Sequence, residues 1–126
     1  MVNNPNRARA QASMTRRELS PELLTGVAER FKALAEPTRL QLLQCLRGGD
    51  ATVSDLVEQT GLTQANVSKH LQLLLALGFV ARRKEGLYAF YTLADQDVFR
   101  LCDLMCGRME RELKARQRLL APHRAG

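Results

Sequence analysis

The residues TGLTQANVSKHLQLLLALG, Thr60 to Gly78, constrain the fold more than any other part of this chain. Gly61 suits the left-handed stop of one helix, and Thr63 suits the N-cap of the next. Only Gly61-Leu62 is left as a connection. Upstream, Thr52-Val53-Ser54-Asp55 has the form of a capping start for a short helix through Gln59. Two short helices joined through a tight glycine-containing turn form a helix-turn-helix. The second of them is polar in front and almost solid leucine behind. Such a helix shows its leading turns to a partner and sinks its trailing turns into a core.

The flanking segments supply that core. Ser20-Pro21-Glu22 combines a serine cap, a proline at the first helical position and an acid near the positive helix end. Leu24, Val27, Phe31 and Leu34 then recur at helical spacing. A break at Glu36-Pro37 precedes a second helix carrying Leu40, Leu43 and Leu46, which Gly48-Gly49 stops. After Gly78 the period changes. Phe79–Lys84 and Leu87–Leu93 are strand-like, with Glu85-Gly86 between them as a hairpin turn. Asp95 to about Leu120 reads as one long helix with the apolar stripe Val98, Leu101, Cys102, Met105, Met109, Leu113 and Leu120. A helix of that length reaches farther than so small a domain can cover, which predicts a second subunit on its stripe. The predicted fold is mainly α with a small β-hairpin wing. Residues 1–19 form a basic arm, 20–120 the winged-helix and dimerisation domain, and 121–126 a tail.

In a helix-turn-helix, the leading residues of the second helix lie against base edges in the major groove. Here Thr63, Gln64, Ala65, Ser68, Lys69 and Gln72 occupy the front and outer face, while Val67, Leu71, Leu74 and Leu77 face inward. Gln makes bidentate contacts to adenine, Ser bonds either way, and Ala touches a thymine methyl. The helix N-terminus itself favours a phosphate. Arg82, Arg83 and Lys84 on the wing would grip the backbone or enter the minor groove. The competing reading makes them solvated charges on an edge strand. The net charge of +6 suits a polyanion. Its placement matters more, because residues 21–61 are net acidic and the positive charge collects on the arm and on residues 62–86.

Several classes are excluded or disfavoured. No Gly-rich phosphate loop, nucleophile elbow or HExxH-type motif occurs in the 126 residues, so an enzyme is not expected. No apolar run approaches the roughly 20 residues that span a bilayer. The polar N-terminus lacks the apolar stretch of a signal peptide, so a cytoplasmic location is expected. Three cysteines, Cys45, Cys102 and Cys106, are too few and too oddly spaced for a disulfide framework.

The segments FKALAEPTRLQLLQCL and VSDLVEQTGLTQANVSKHLQLLLALGFVARRKEGLYAFYTL resemble the ArsR/SmtB family of winged-helix transcriptional repressors. The markers are Ala35–Leu40, Val67-Ser68-Lys69-His70-Leu71 and Tyr91-Thr92-Leu93. The resemblance implies a homodimer built from the first and last helices. It also implies binding to double-stranded operator DNA in the free state and release by an inducer. By that resemblance Gln64, Ala65, Ser68, Lys69 and His70 fall on DNA-contacting positions. His70 has a structural alternative, a hydrogen bond within the protein. The operator is expected to be an imperfect palindrome with half-sites about one helical turn apart.

The inducer site is the open part. A cysteine pair at the start of the third helix is absent from Ala51–Asp55. Asp95 and Asp97 remain on the last helix, but no histidine follows before His123, which disfavours zinc or nickel there. Cys102 and Cys106 share one helical face and would hold a thiophilic metal or a metalloid such as arsenite, with a third ligand from elsewhere. Cys45 is the candidate third thiol. Three alternatives stand beside this: reactive sulfur or oxidant sensed by the same cysteines, cysteines that only pack, and a non-sensing helical dimer whose basic wing docks on an acidic protein.

Overall fold

The computed structural model describes residues 18–120. The expected basic arm, Glu18 and Leu19 apart, and the tail at 121–126 lie outside the described residues. The chain divides into two compact units, one ending at Pro37 and one starting at Thr38.

The first unit contains helix α1, Pro21–Leu34. Ser20 is its N-cap, and the serine hydroxyl accepts from the Leu23 amide at 3.1 Å. Pro21 occupies the first helical position, where its missing amide proton is not needed. Leu23, Leu24 and Phe31 are exposed on this helix.

The second unit carries the remaining elements, α2 (Pro37–Arg47), α3 (Val53–Thr60), α4 (Gln64–Ala76), β1 (Val80–Glu85), β2 (Tyr88–Leu93) and α5 (Asp97–Leu120). Local chemistry sets the boundaries. Thr52 and Asp55 form a reciprocal capping box at 3.1 and 2.9 Å. Gly61 closes α3 with φ 74°, a left-handed conformation open to glycine at little cost. Helix α3 runs one residue past the expected Gln59. Thr63 caps α4 by accepting from the Asn66 amide at 3.2 Å.

The core draws on every element of this unit: Leu42, Leu43 and Leu46 of α2, Leu56 of α3, Val67, Leu71 and Leu74 of α4, Val80 and Tyr91 of the hairpin, and Val98 and Phe99 of α5. Leu42, not the expected Leu40, completes the α2 face; Leu40 is exposed. Leu77, expected to face inward, is half-buried.

The hairpin is antiparallel, with Val80 opposite Leu93 and Glu85 opposite Tyr88. Its two-residue turn is Gly86-Leu87, one position later than the expected Glu85-Gly86. Only the glycine has positive φ (60°), which is the II′ arrangement with glycine at the first central position. Ala51 adds an isolated rung on the outer side of β2, exchanging backbone hydrogen bonds with Tyr91 at 3.0 and 2.8 Å. That rung ties the segment before α3 to the wing.

Helix α5 starts two residues later than expected, and just ahead of it the Asp95 carboxylate accepts from the Asp97 amide at 2.8 Å. Its 24 residues span about 36 Å. Only Val98 and Phe99 are buried, while Leu101, Leu104, Met105, Met109, Leu113, Leu119 and Leu120 are exposed. No helix among the described residues is long and apolar enough to cross a membrane.

Candidate nucleic-acid interface

Helix α4 has the two ends its sequence suggests. Thr63, Gln64, Ala65, Asn66, Lys69 and Gln72 are exposed, and Ser68 and His70 are half-buried. Val67, Leu71 and Leu74 are fully buried. The first turn of α4 contains no acid, so its uncapped amides present the positive helix end to an approaching anion. Asn66, which sequence reasoning passed over, stands in that exposed turn. Asn is as able as Gln to read adenine, and its place one turn before the second polar turn was the available signal.

His70 sits differently from its neighbours. Arg39 Nη1, in the first turn of α2, lies 3.3 Å from His70 Nδ1. A guanidinium only donates, so Nδ1 is the acceptor in this contact. The internal hydrogen bond weighed as an alternative is thus present. It leaves Nε2 for any outside contact.

The wing cations separate by strand alternation. Arg82 and Lys84 lie on the face that also carries Val80 and Tyr91, opposite Tyr91 and Ala89. Both are exposed toward the hairpin tip, and neither is ion-paired among the described residues. Arg83 lies on the other face and is engaged by the protein. Its guanidinium pairs with the Asp50 carboxylate, lies 3.5 Å from Glu85 Oε2, and covers the Phe90 ring at 4.9 Å. The Thr92 hydroxyl and then the Arg83 guanidinium hold the Asp50 carboxyl below the usual carboxylate range. Asp50 in turn raises the already high Arg83 value. The three basic residues that looked equivalent in sequence therefore have two different positions.

The thiols are spread over two helices. Cys45 on α2 and Cys102 on α5 are half-buried, and Cys106 is exposed. Burial pushes the Cys102 thiol up, with the neighbouring Cys106 and Asp103 adding to the effect and Arg47 opposing it. Arg47 bridges α2 and α5, lying 3.7 Å from Asp103 and 4.6 Å over the Phe99 ring. Among the described residues no group of three or more His, Cys, Asp or Glu side chains could hold a metal ion. The donors fit a soft ion by chemistry, but the described residues of one chain bring together no third ligand beside the Cys102–Cys106 pair.

Residues 36–82 match the family described as "Bacterial regulatory protein, arsR family". The chain is similar to a probable mercury resistance operon repressor of Streptomyces lividans, 42% identical over 56% of this chain and 57% of that protein. It is also similar to the arsenical resistance operon repressor of Bacillus subtilis, 34% identical over 64% of this chain and 78% of that one. Among solved structures, the homodimeric winged helix-turn-helix DNA-binding domain of Mb0332 from Mycobacterium bovis superposes with a TM-score of 0.63 at 32% identity, covering 90% of this chain and all of that one. On these similarities the chain belongs to the arsR family of bacterial regulatory proteins.

Proposed function

We propose that this chain is a sequence-specific transcriptional repressor, acting in the cytoplasm, that binds an operator as a homodimer and leaves it when an inducer engages its last-helix thiols. The observation that carries the DNA reading is the exposure of Gln64, Ala65, Asn66 and Lys69 directly ahead of the buried anchors Val67, Leu71 and Leu74. Phosphate contacts from Lys69, Arg82 and Lys84 would add the salt-dependent part of the affinity. The long exposed stripe of α5 and the exposed Leu23, Leu24 and Phe31 of α1 support a second copy as the partner. The Bacillus and Streptomyces relatives are named as arsenical and mercury repressors, and two thiols one helical turn apart suit such thiophilic ions.

A second reading has its own support. Among the described residues no third ligand joins Cys102 and Cys106, and a reactive-sulfur or oxidant signal needs none. One experiment separates these. Purified reduced dimer on operator DNA is titrated with arsenite, mercuric ion, cadmium and polysulfide, in wild type and in the Cys102→Ser, Cys106→Ser double variant. The double variant should bind operator and respond to none of them. A normal response by the double variant to every inducer would leave the cysteines with a packing role only.

A further inference from the structure

We infer that Asp50 is a positioning residue for the DNA-contacting wing, acting through Arg83, and that Arg83 belongs to this clamp rather than to the DNA. The inference deepens the operator-binding reading and rests on it.

Three observations converge on one spot. Asp50 lies in the loop between α2 and α3, 33 residues before Arg83, and pairs with its guanidinium. The Arg83 guanidinium is stacked on Phe90, its cross-strand partner, and so is held flat against the sheet. The next residue along the loop, Ala51, makes the paired backbone bonds to Tyr91. Asp50 through Arg83 and Ala51 through Tyr91 thus tie both strands of the wing to the segment that leads into the helix-turn-helix.

A two-stranded hairpin is a poor lever when unsupported, because such a ribbon has little stability of its own. Here its base is fixed by Val80 and Tyr91 in the core, and farther out by the Asp50–Arg83–Phe90 contacts. The exposed Arg82 and Lys84 sit on the other face at that height. Their placement relative to α4 therefore depends on a clamp made on the opposite side of the sheet. The ion pair is half-exposed, with side chains 46% and 38% accessible, so it contributes little to folding. Its role is the direction in which the free cations are offered.

The inference has an unusual sign. Asp50 is an anion close to a basic surface that faces a polyanion. Removing it would tighten DNA binding if only charge mattered, and more so if it freed Arg83 to reach a phosphate. If Asp50 positions the wing, removing it weakens binding.

The experiment is a double-mutant cycle of Asp50→Ala and Arg83→Gln in the full-length dimer, on a duplex selected by the wild type from a random pool. Affinity is read across salt concentrations, with circular dichroism and sedimentation confirming fold and dimer. A slope of about 0.9 per phosphate amounts to about eightfold per contact between 1 M and 0.1 M salt. Asp50→Ala, Arg83→Gln and the double variant should each weaken binding by the same amount, about tenfold or more, with a shallower salt slope. If Asp50→Ala binds as tightly as wild type or tighter while Arg83→Gln weakens, Arg83 is a phosphate contact and the clamp is overturned. If the two losses add, the residues act separately and the clamp is again overturned. If the wild type selects no sequence at all, the operator reading fails and takes this inference with it.

Discussion

Leu73 and Leu74 are adjacent in sequence and chemically identical, yet Leu74 is 0% exposed and Leu73 39%. Their truncations should differ because α4 has one anchored side. Leu74→Ala removes a fully enclosed side chain and leaves a cavity, at a cost of about 3–5 kcal/mol. Leu73 already has more than a third of its surface in water, so Leu73→Ala forfeits about 1 kcal/mol of burial. The better helix propensity of alanine returns only a few tenths of that. The assay is guanidinium denaturation at one fixed chain concentration, since the stability of a dimer depends on concentration. Leu74→Ala should lower the midpoint sharply with little change in slope. Leu73→Ala should lower it by about a third as much or less, and should still protect the operator. Equal losses at the two positions would mean that α4 is packed on both sides, which would leave its flank no access to a groove.

Other consequences follow from single contacts. Gly61→Ala forces a left-handed conformation on a residue with a Cβ but meets no atom within 4 Å, so it should destabilise by about 1 kcal/mol through strain alone; thermal denaturation should show a drop of about 4 °C, and no drop would place the turn elsewhere. Alkylation followed by mass spectrometry should label the exposed Cys106 first. Cys102, whose thiol is pushed above the usual range, is less ionised at any given pH than an ordinary thiol, so its rate should keep rising into the alkaline range; a fast, pH-independent reaction at Cys102 would contradict the burial. Met109→Glu with Leu113→Glu places charges on the exposed stripe of α5 and should give a folded monomer in sedimentation, whereas an intact dimer would exclude that stripe from the interface.

Much of this architecture is legible in the sequence because its determinants are local. The Ser20, Thr52–Asp55 and Thr63 caps each act over three residues, and the structure shows all three. The change from helical to alternating periodicity after Gly78 marks the wing without knowledge of its partner. Errors arose where two local rules competed. Glu85-Gly86 and Gly86-Leu87 both suit a tight turn, and cross-strand register decided for the second. Likewise Leu40 and Leu42 both fit a helical stripe, and only the packing of α2 selects Leu42. The candidate site was legible in outline and not in detail. Arg82, Arg83 and Lys84 form one basic run in sequence, and the carboxylate that claims Arg83 is 33 residues away. His70 meets Arg39 across 31 residues. Contacts of that range depend on the assembled fold, and no spacing rule announces them.

The exposed leading turns of α4 reading base edges can be tested directly by base-by-base substitution of a selected operator, measured for wild type and Gln64→Ala. Loss of discrimination at one base pair in each half-site, worth about 1–3 kcal/mol, with other positions unchanged, is the expected result. Uniform weakening at every position, or no change at any, would mean that Gln64 reads no base and that α4 does not lie in the groove as its two-ended surface indicates.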